Sequence, residues 1–312
     1  MLKFKNYLVE QDLLNEKLLL INSGKKYGQV VFLAGGAGSG KGFAGNNFMN
    51  IQDFKVRDVD EMKKAYLTLN KLRHKYPELD GLDLKKPEDV FKMHGFIKKK
   101  GTVKSTLDNM LSVIVNPNIL PNIVFDVTLQ YVSKIDDTVP LLIKAGYKPE
   151  NIHIIWVLTD YEIAFKANLE RDRIVPYGKD GTPNIILDTH VGASKTMWNI
   201  VGKNNIPKSI NGGIYVILNN RDQTIVFKEG DKKDFRTAKD DKDAPAKITT
   251  SPRKYVSKSS ENYKKKTIVV KDFTYLTYKE PGKAPKKDKE IYKQLFGWVK
   301  ANIPKSALKF IN

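Results

Sequence analysis

The string Gly35-Gly36-Ala37-Gly38-Ser39-Gly40-Lys41-Gly42 is the densest piece of chemistry in this sequence. It fits the spacing G-x-x-x-x-G-K and follows an apolar, β-branched run, "VVFLA". In that setting a loop wraps phosphate oxygens with backbone N–H groups, and the next helix points its positive end at the same anion. Glycine lets the backbone come close to the phosphates, and Lys41 reaches the β- and γ-phosphates. Ser or Thr commonly follows the lysine to hold Mg²⁺, but here Gly42 and then Phe43 follow. The expected ligands are ATP and Mg²⁺, the cation held by water, carboxylates and the nucleotide's own phosphates.

Three carboxylates fall at the ends of strand-like runs: Asp58 and Asp60 in "VRDVDEM", and Asp126 in "IVFDVT". In an open α/β sheet, ligands sit beyond the C-terminal ends of the strands. A phosphotransferase needs one carboxylate to orient and deprotonate the attacking hydroxyl and another to anchor metal or acceptor. The alternative is that each acid caps a helix or shapes a turn. Arg171 and Arg173 are two of only seven arginines and lie in "ANLERDRIVPYGKDG". They suit a lid that brings planar guanidinium groups onto the transferring phosphate. Complementing a helix dipole is the competing reading. His190, in "LDTHVGASK", is expected near the acceptor, and His153, inside a strand-like run, in the core. No histidine pair has metal-ligand spacing.

The glycine loop resembles that of adenylate kinases and other nucleotide-type P-loop kinases, G-x-x-G-x-G-K-G-[ST], and departs from it at Phe43. A second resemblance is to the zeta-toxin-like P-loop kinases. "DVDEMKK" is similar to that family's D-x-D-x-[FM]-[RK], and "FDVT" to its acid-x-Thr, with Val127 where the family usually has Gly. This likeness spans residues 28–220 and is carried by short motifs. It implies that Asp60 is the general base, with Asp126 and Thr128 near the acceptor or metal and Asp58 on the substrate side. P-loop kinases also imply adenine near Asn219 and Asn220. The acceptor implied is a hydroxyl of a nucleotide sugar or another small metabolite, whereas the excess of basic residues suggests a nucleic-acid hydroxyl. The opening "FKNYLVEQ" loosely resembles the start of many tailed-phage proteins, which implies a phage source and a host cytoplasm.

These groups need strands to carry them. Apolar runs at 29–33, 54–60, 122–128, 151–159 and 212–220 alternate with helical stretches, the signature of a parallel sheet covered on both faces. The expected fold class is α/β, a P-loop NTPase fold with a five-stranded, mostly parallel sheet and a basic C-terminal extension. The divisions are an amphipathic helix in 1–27, a kinase core in 28–220 and the extension in 221–312. Capping boxes predict helix starts at Ser105 and at Thr159. In the extension, 229–266 reads as a loop, 267–278 as a strand, and the end as a helix.

The chain has 312 residues and no cysteine, which excludes disulfides and fits a reducing cytoplasm. No apolar run approaches the roughly 18 residues of a membrane span. Charges break up the first twenty residues, so neither a signal peptide nor a membrane partner is expected. Net charge is +19, and from Arg221 onward 24 basic residues face 12 acidic ones. Tyrosines are interleaved with the lysines of 247–266, a mix that suits nucleic acid. A solubilising, lysine-rich surface gives the same composition. Two classes of function stand side by side: an ATP-dependent kinase acting on a hydroxyl, or a non-catalytic nucleotide- or nucleic-acid-binding protein with a relic P-loop.

Overall fold

A computed structural model describes residues 27–49, 53–112, 119–179, 181–228, 267–286 and 288–311. The N-terminal amphipathic helix and the basic segment 229–266 lie outside the described residues. The elements run β1 (Val30–Ala34), α1 (Lys41–Phe48), β2 (Phe54–Asp58), α2 (Val59–Arg73), α3 (Pro87–Lys99), α4 (Thr102–Ser112) and β3 (Asn122–Asp126). They continue with α5 (Ser133–Lys144), β4 (Ile152–Leu158), α6 (Tyr161–Leu169), α7 (Ile185–Val201), β5 (Ile214–Lys228), β6 (Thr267–Lys279) and α8 (Lys289–Asn302).

The sheet has six strands in the order β2-β3-β1-β4-β5-β6. The first five are parallel, and β6 pairs antiparallel with β5. Every residue of β1 and β4 is buried, because parallel strands covered by helices have no wet face. Alternation sends Val30, Phe32, Ile154 and Trp156 to one layer, packed with Ile135 and Val139 of α5, Met197 and Trp198 of α7, and Leu295 of α8. Val31, Leu33, Ile155 and Val157 face the other layer with Ala44 of α1 and Met49. A separate apolar cluster, Leu79, Met93, Phe96 and Ile97, holds α2 and α3 together.

The α/β class expected from the sequence is the one observed, with three local differences. The fifth strand does not stop at Asn220 but continues to Lys228, because β6 supplies a ladder beyond a bulge at Asn220/Thr224. The sequence-predicted strand at 267–278 is that sixth strand. The helix expected to open at Ser105 begins at Thr102, because Gly101 (φ 62) turns the chain straight out of α3. Ser105 therefore lies inside the helix, where its hydroxyl donates to Thr102 O. The third difference is at α6, which is capped by Asp160 rather than Thr159: its carboxylate accepts from Glu162 N and Ile163 N.

His153 is a core histidine, as expected. Its Nε2–H donates to Gln29 Oε1 and its Nδ1 accepts from Gly213 N, each at 2.8 Å. Burial keeps it neutral, with its pKa pushed down to about 3. No helix among the described residues is long and apolar enough to cross a membrane.

Candidate active site

The chain leaves β1 beside the ends of β3 and β4, so the loops after three neighbouring strands converge there. Leu33 is in register with Asp126 of β3, and Ala34 with Trp156 of β4. Gly40 caps α1 in the left-handed region (φ 88), where a residue with a side chain would be strained. No side chain caps α1, and its first turn holds no acid. Among the described residues no side chain closes the first turn, whose N–H groups can then face an anion. Gly42 is exposed, and a Cβ placed on it would meet nothing within 4 Å.

Behind, the loop is pinned to the scaffold. Gly35 N donates to Thr128 O at 3.3 Å, tying the loop to the segment after β3. Ser39 O accepts from Thr159 Oγ1 (2.7 Å), at the end of β4, and from Asn219 Nδ2 (2.6 Å) in β5. Ala37 N donates to Thr189 Oγ1 (3.2 Å), and Ala37 O lies 2.7 Å from His190 Nε2, both from α7. The Lys41 ammonium folds over the loop mouth, donating to Gly35 O (3.1 Å) and Gly36 O (3.4 Å) and standing 3.6 Å from Asp126 Oδ1.

The carboxylates form a row along the same sheet end. Asp58 and Asp126 are register partners on β2 and β3. Asp58 also caps α2, accepting from Asp60 N at 2.8 Å. Burial, with the negative charges of Asp60 and Asp126, pushes the Asp58 pKa up to about 6. Asp60 behaves oppositely. Its burial favours the neutral acid, but the Arg173 guanidinium and the Lys63 ammonium outweigh it and hold the pKa below the usual carboxylate range. Lys63 Nζ is 3.1 Å from Asp60 Oδ1, and Arg173 pairs with the other oxygen.

The segment carrying the arginines is fixed rather than loosely hung. Asn168, fully buried, donates through Nδ2 to Val175 O and accepts from Val175 N, both at 3.0 Å. Ile174 N donates to Leu84 O across to the segment before α3. This brings Arg173 into the site, only 8% exposed, and leaves Arg171 outside on the surface. Burial and the charges of Lys63, Lys98 and Lys134, opposed by Asp60, lower the pKa of His94 on α3.

Of the sequence-predicted groups, the structure brings Gly35–Gly42, Lys41, Asp58, Asp60, Asp126 and Arg173 to one end of the sheet. Thr128 joins them through its backbone carbonyl. Asn219, which with Asn220 was expected near adenine, donates to Ser39 O under the loop. His190, expected beside the acceptor, is 4% exposed and turned to the back of the loop. Sequence reading missed the loop's anchors Thr159 and Thr189, and also Lys63. Thr159 carried a usable signal: a hydroxyl at a strand's C-terminal end can serve the site as readily as the following helix.

No protein-family model matches the chain, and no curated protein sequence matches it. Among solved structures, an AvrRxo1-ORF1:-ORF2 complex is similar over 99% of this chain and 82% of its own, at 12% identity and a TM-score of 0.43. A crystal form of that pair with ATP has 13% identity over 99% of this chain and 82% of its own, with a TM-score of 0.39. The PezAT chromosomal toxin–antitoxin system of Streptococcus pneumoniae has 15% identity over 68% of this chain and 76% of its own, with a TM-score of 0.38. At such distances the functional reading rests on the site itself.

Proposed function

We propose that this protein is an ATP-dependent phosphotransferase that moves the γ-phosphate of ATP to a hydroxyl acceptor. One arrangement carries the reading: an uncapped helix N-terminus has Lys41 at its mouth, 3.6 Å from Asp126, and the register partner of Asp126 on β2 is Asp58, whose pKa is pushed up to about 6. The first element binds and polarises phosphate; the second can take a proton at neutral pH. The backbone of Gly35–Gly42 would wrap the phosphates, and Lys41 would leave its loop carbonyls for their oxygens. The acceptor hydroxyl gives its proton to Asp58 as its oxygen bonds to the γ-phosphorus. The bond from that phosphorus to the β–γ bridging oxygen breaks, and ADP leaves with the electron pair.

Arg173 supplies positive charge where the transferring group becomes most negative, and the exposed Arg171 adds to the field on the Asp60–Arg173 pair. Asp60 orients Arg173 in this account, so the base role passes from Asp60 to Asp58. Asp126, 3.6 Å from Lys41 at the loop mouth, would hold Mg²⁺, which would neutralise phosphate charge. Among the described residues no group of three or more His, Cys, Asp or Glu side chains could hold a metal. That donor set suits a cation arriving with the nucleotide. The acceptor proposed is a hydroxyl-bearing small metabolite such as a nucleotide sugar.

Binding is tested by thermal unfolding with and without ATP·Mg²⁺. A ligand at a hundred times its Kd stabilises the fold by about 2.7 kcal/mol, so wild type should melt measurably higher with nucleotide. Lys41→Ala should show no shift. A wild type indifferent to millimolar ATP would leave the loop a structural turn.

A further inference from the structure

Gly36 is crowded by the ring of His190, which supplies the three atoms nearest to where a Cβ would stand. The φ of Gly36 lies outside the left-handed region that Gly35, Gly38 and Gly40 occupy. A Cβ built on it would nonetheless lie 2.2 Å from Cδ2 of His190 and 2.4 Å from that ring's Cγ and Nε2. Real Cβ atoms do not tolerate such distances, and the imidazole is held too firmly to step aside. Its Nε2 is bonded to Ala37 O, and its edge meets Tyr161 at a ring separation of 5.6 Å. Burial pushes the His190 pKa down to about 4, so the ring is neutral at pH 7, and Nε2 must carry the hydrogen that the carbonyl accepts.

Thr189 takes the N–H of the same residue, so two consecutive side chains of α7 clamp both polar groups of Ala37. The helix is anchored at the other parts of the site as well. Ile186 N donates to Pro176 O in the arginine-bearing segment. Gln130, after β3, donates to Asp188 O and accepts from Thr196 Oγ1. The loop's curvature at Ala37 is thereby set by the helix that also fixes the lid and the Asp126 segment.

We propose that His190 is a positioning residue that fixes the P-loop backbone at Ala37, and that Gly36 is glycine to admit the imidazole, not a phosphate. The nucleotide part of this rests on the phosphate-binding reading above; the steric part stands without it.

The test uses the full-length chain and four variants: Gly36→Ala, His190→Ala, the two combined, and His190→Gln. Melting temperature without nucleotide and the Kd for ATP·Mg²⁺ are both read. Gly36→Ala should melt lower and bind ATP at least about tenfold more weakly, as expected of an overpacked contact. Adding His190→Ala should bring both values back toward those of His190→Ala alone. That single variant should bind ATP about three- to tenfold more weakly, the loss of one positioning hydrogen bond. His190→Gln should recover the affinity, because its amide nitrogen can donate where the imidazole Nε2 does.

A double variant no better than Gly36→Ala in both readouts would overturn the proposal. So would His190→Gln binding ATP as weakly as His190→Ala. If the wild type itself does not bind ATP, the kinase reading fails, and the melting temperatures alone decide the ring–glycine contact. In that case a double variant no more stable than Gly36→Ala overturns it.

Discussion

Asp58→Asn should lower turnover by about 10²–10⁴-fold while leaving ATP affinity nearly unchanged, because a general base acts on the acceptor's proton and not on the nucleotide. The pKa of about 6 comes from burial and from Asp60 and Asp126 nearby. The carboxylate form dominates at pH 7 and is lost as pH falls through about 6, so turnover should fall over the same range. The same displacement fixes the sign of the stability effect. A carboxyl whose folded pKa lies above its unfolded value costs stability at neutral pH. Asparagine removes that cost and still caps α2, so the variant should unfold about 1–3 kcal/mol harder while being nearly inactive. Chemical denaturation beside initial rates separates this from simple misfolding. An active Asp58→Asn enzyme would return the base role to Asp60 or Asp126.

Arg173→Ala should be the most damaging change on the lid side, in both stability and turnover. Removing one partner of a buried pair leaves the other charge uncompensated, at a cost of roughly 3 kcal/mol. Here Lys63 still touches Asp60, which moderates the loss. Turnover should fall about 10²–10³-fold, comparable to removing one preorganised group that stabilises transition-state charge. Arg173→Lys should recover part of the stability but little of the rate, since an ammonium cannot reproduce the planar fork. Arg171→Ala, at an exposed position, should leave the melting temperature nearly untouched. Equal stability losses at both arginines would contradict the asymmetry between them.

The parts of this site that lie on strands were the easiest to read in advance. Glycines and lysine at P-loop spacing after "VVFLA", and acids closing two other β-branched runs, are local signals. A parallel sheet turns such local signals into proximity. Register then did the rest: Asp58 and Asp126 are opposite each other because their strands end together. What could not be read was how charge would be shared. Asp58 and Asp60 are two residues apart and look equivalent as letters, yet only Asp60 pairs with Arg173, which comes from a segment more than a hundred residues away. The side of the loop that His190 meets was not legible for a similar reason. Sequence shows that it follows the lid, but its facing direction depends on the roll of α7 against Ala37. The long fifth strand was hidden because Asn219-Asn220 reads as a turn, and only pairing with β6 carries the chain through it.

The central claim, transfer of phosphate from ATP to a hydroxyl, is tested most directly with γ-labelled ATP. The full-length protein and Lys41→Ala would each be incubated with nucleosides, nucleotide sugars and oligonucleotides in turn, and label would be sought in the acceptor. Wild type should label an acceptor carrying anionic groups, with rates that fall below pH 6 and vanish in Lys41→Ala. Nucleotide binding without label in any acceptor, or transfer that survives loss of Lys41, would contradict it.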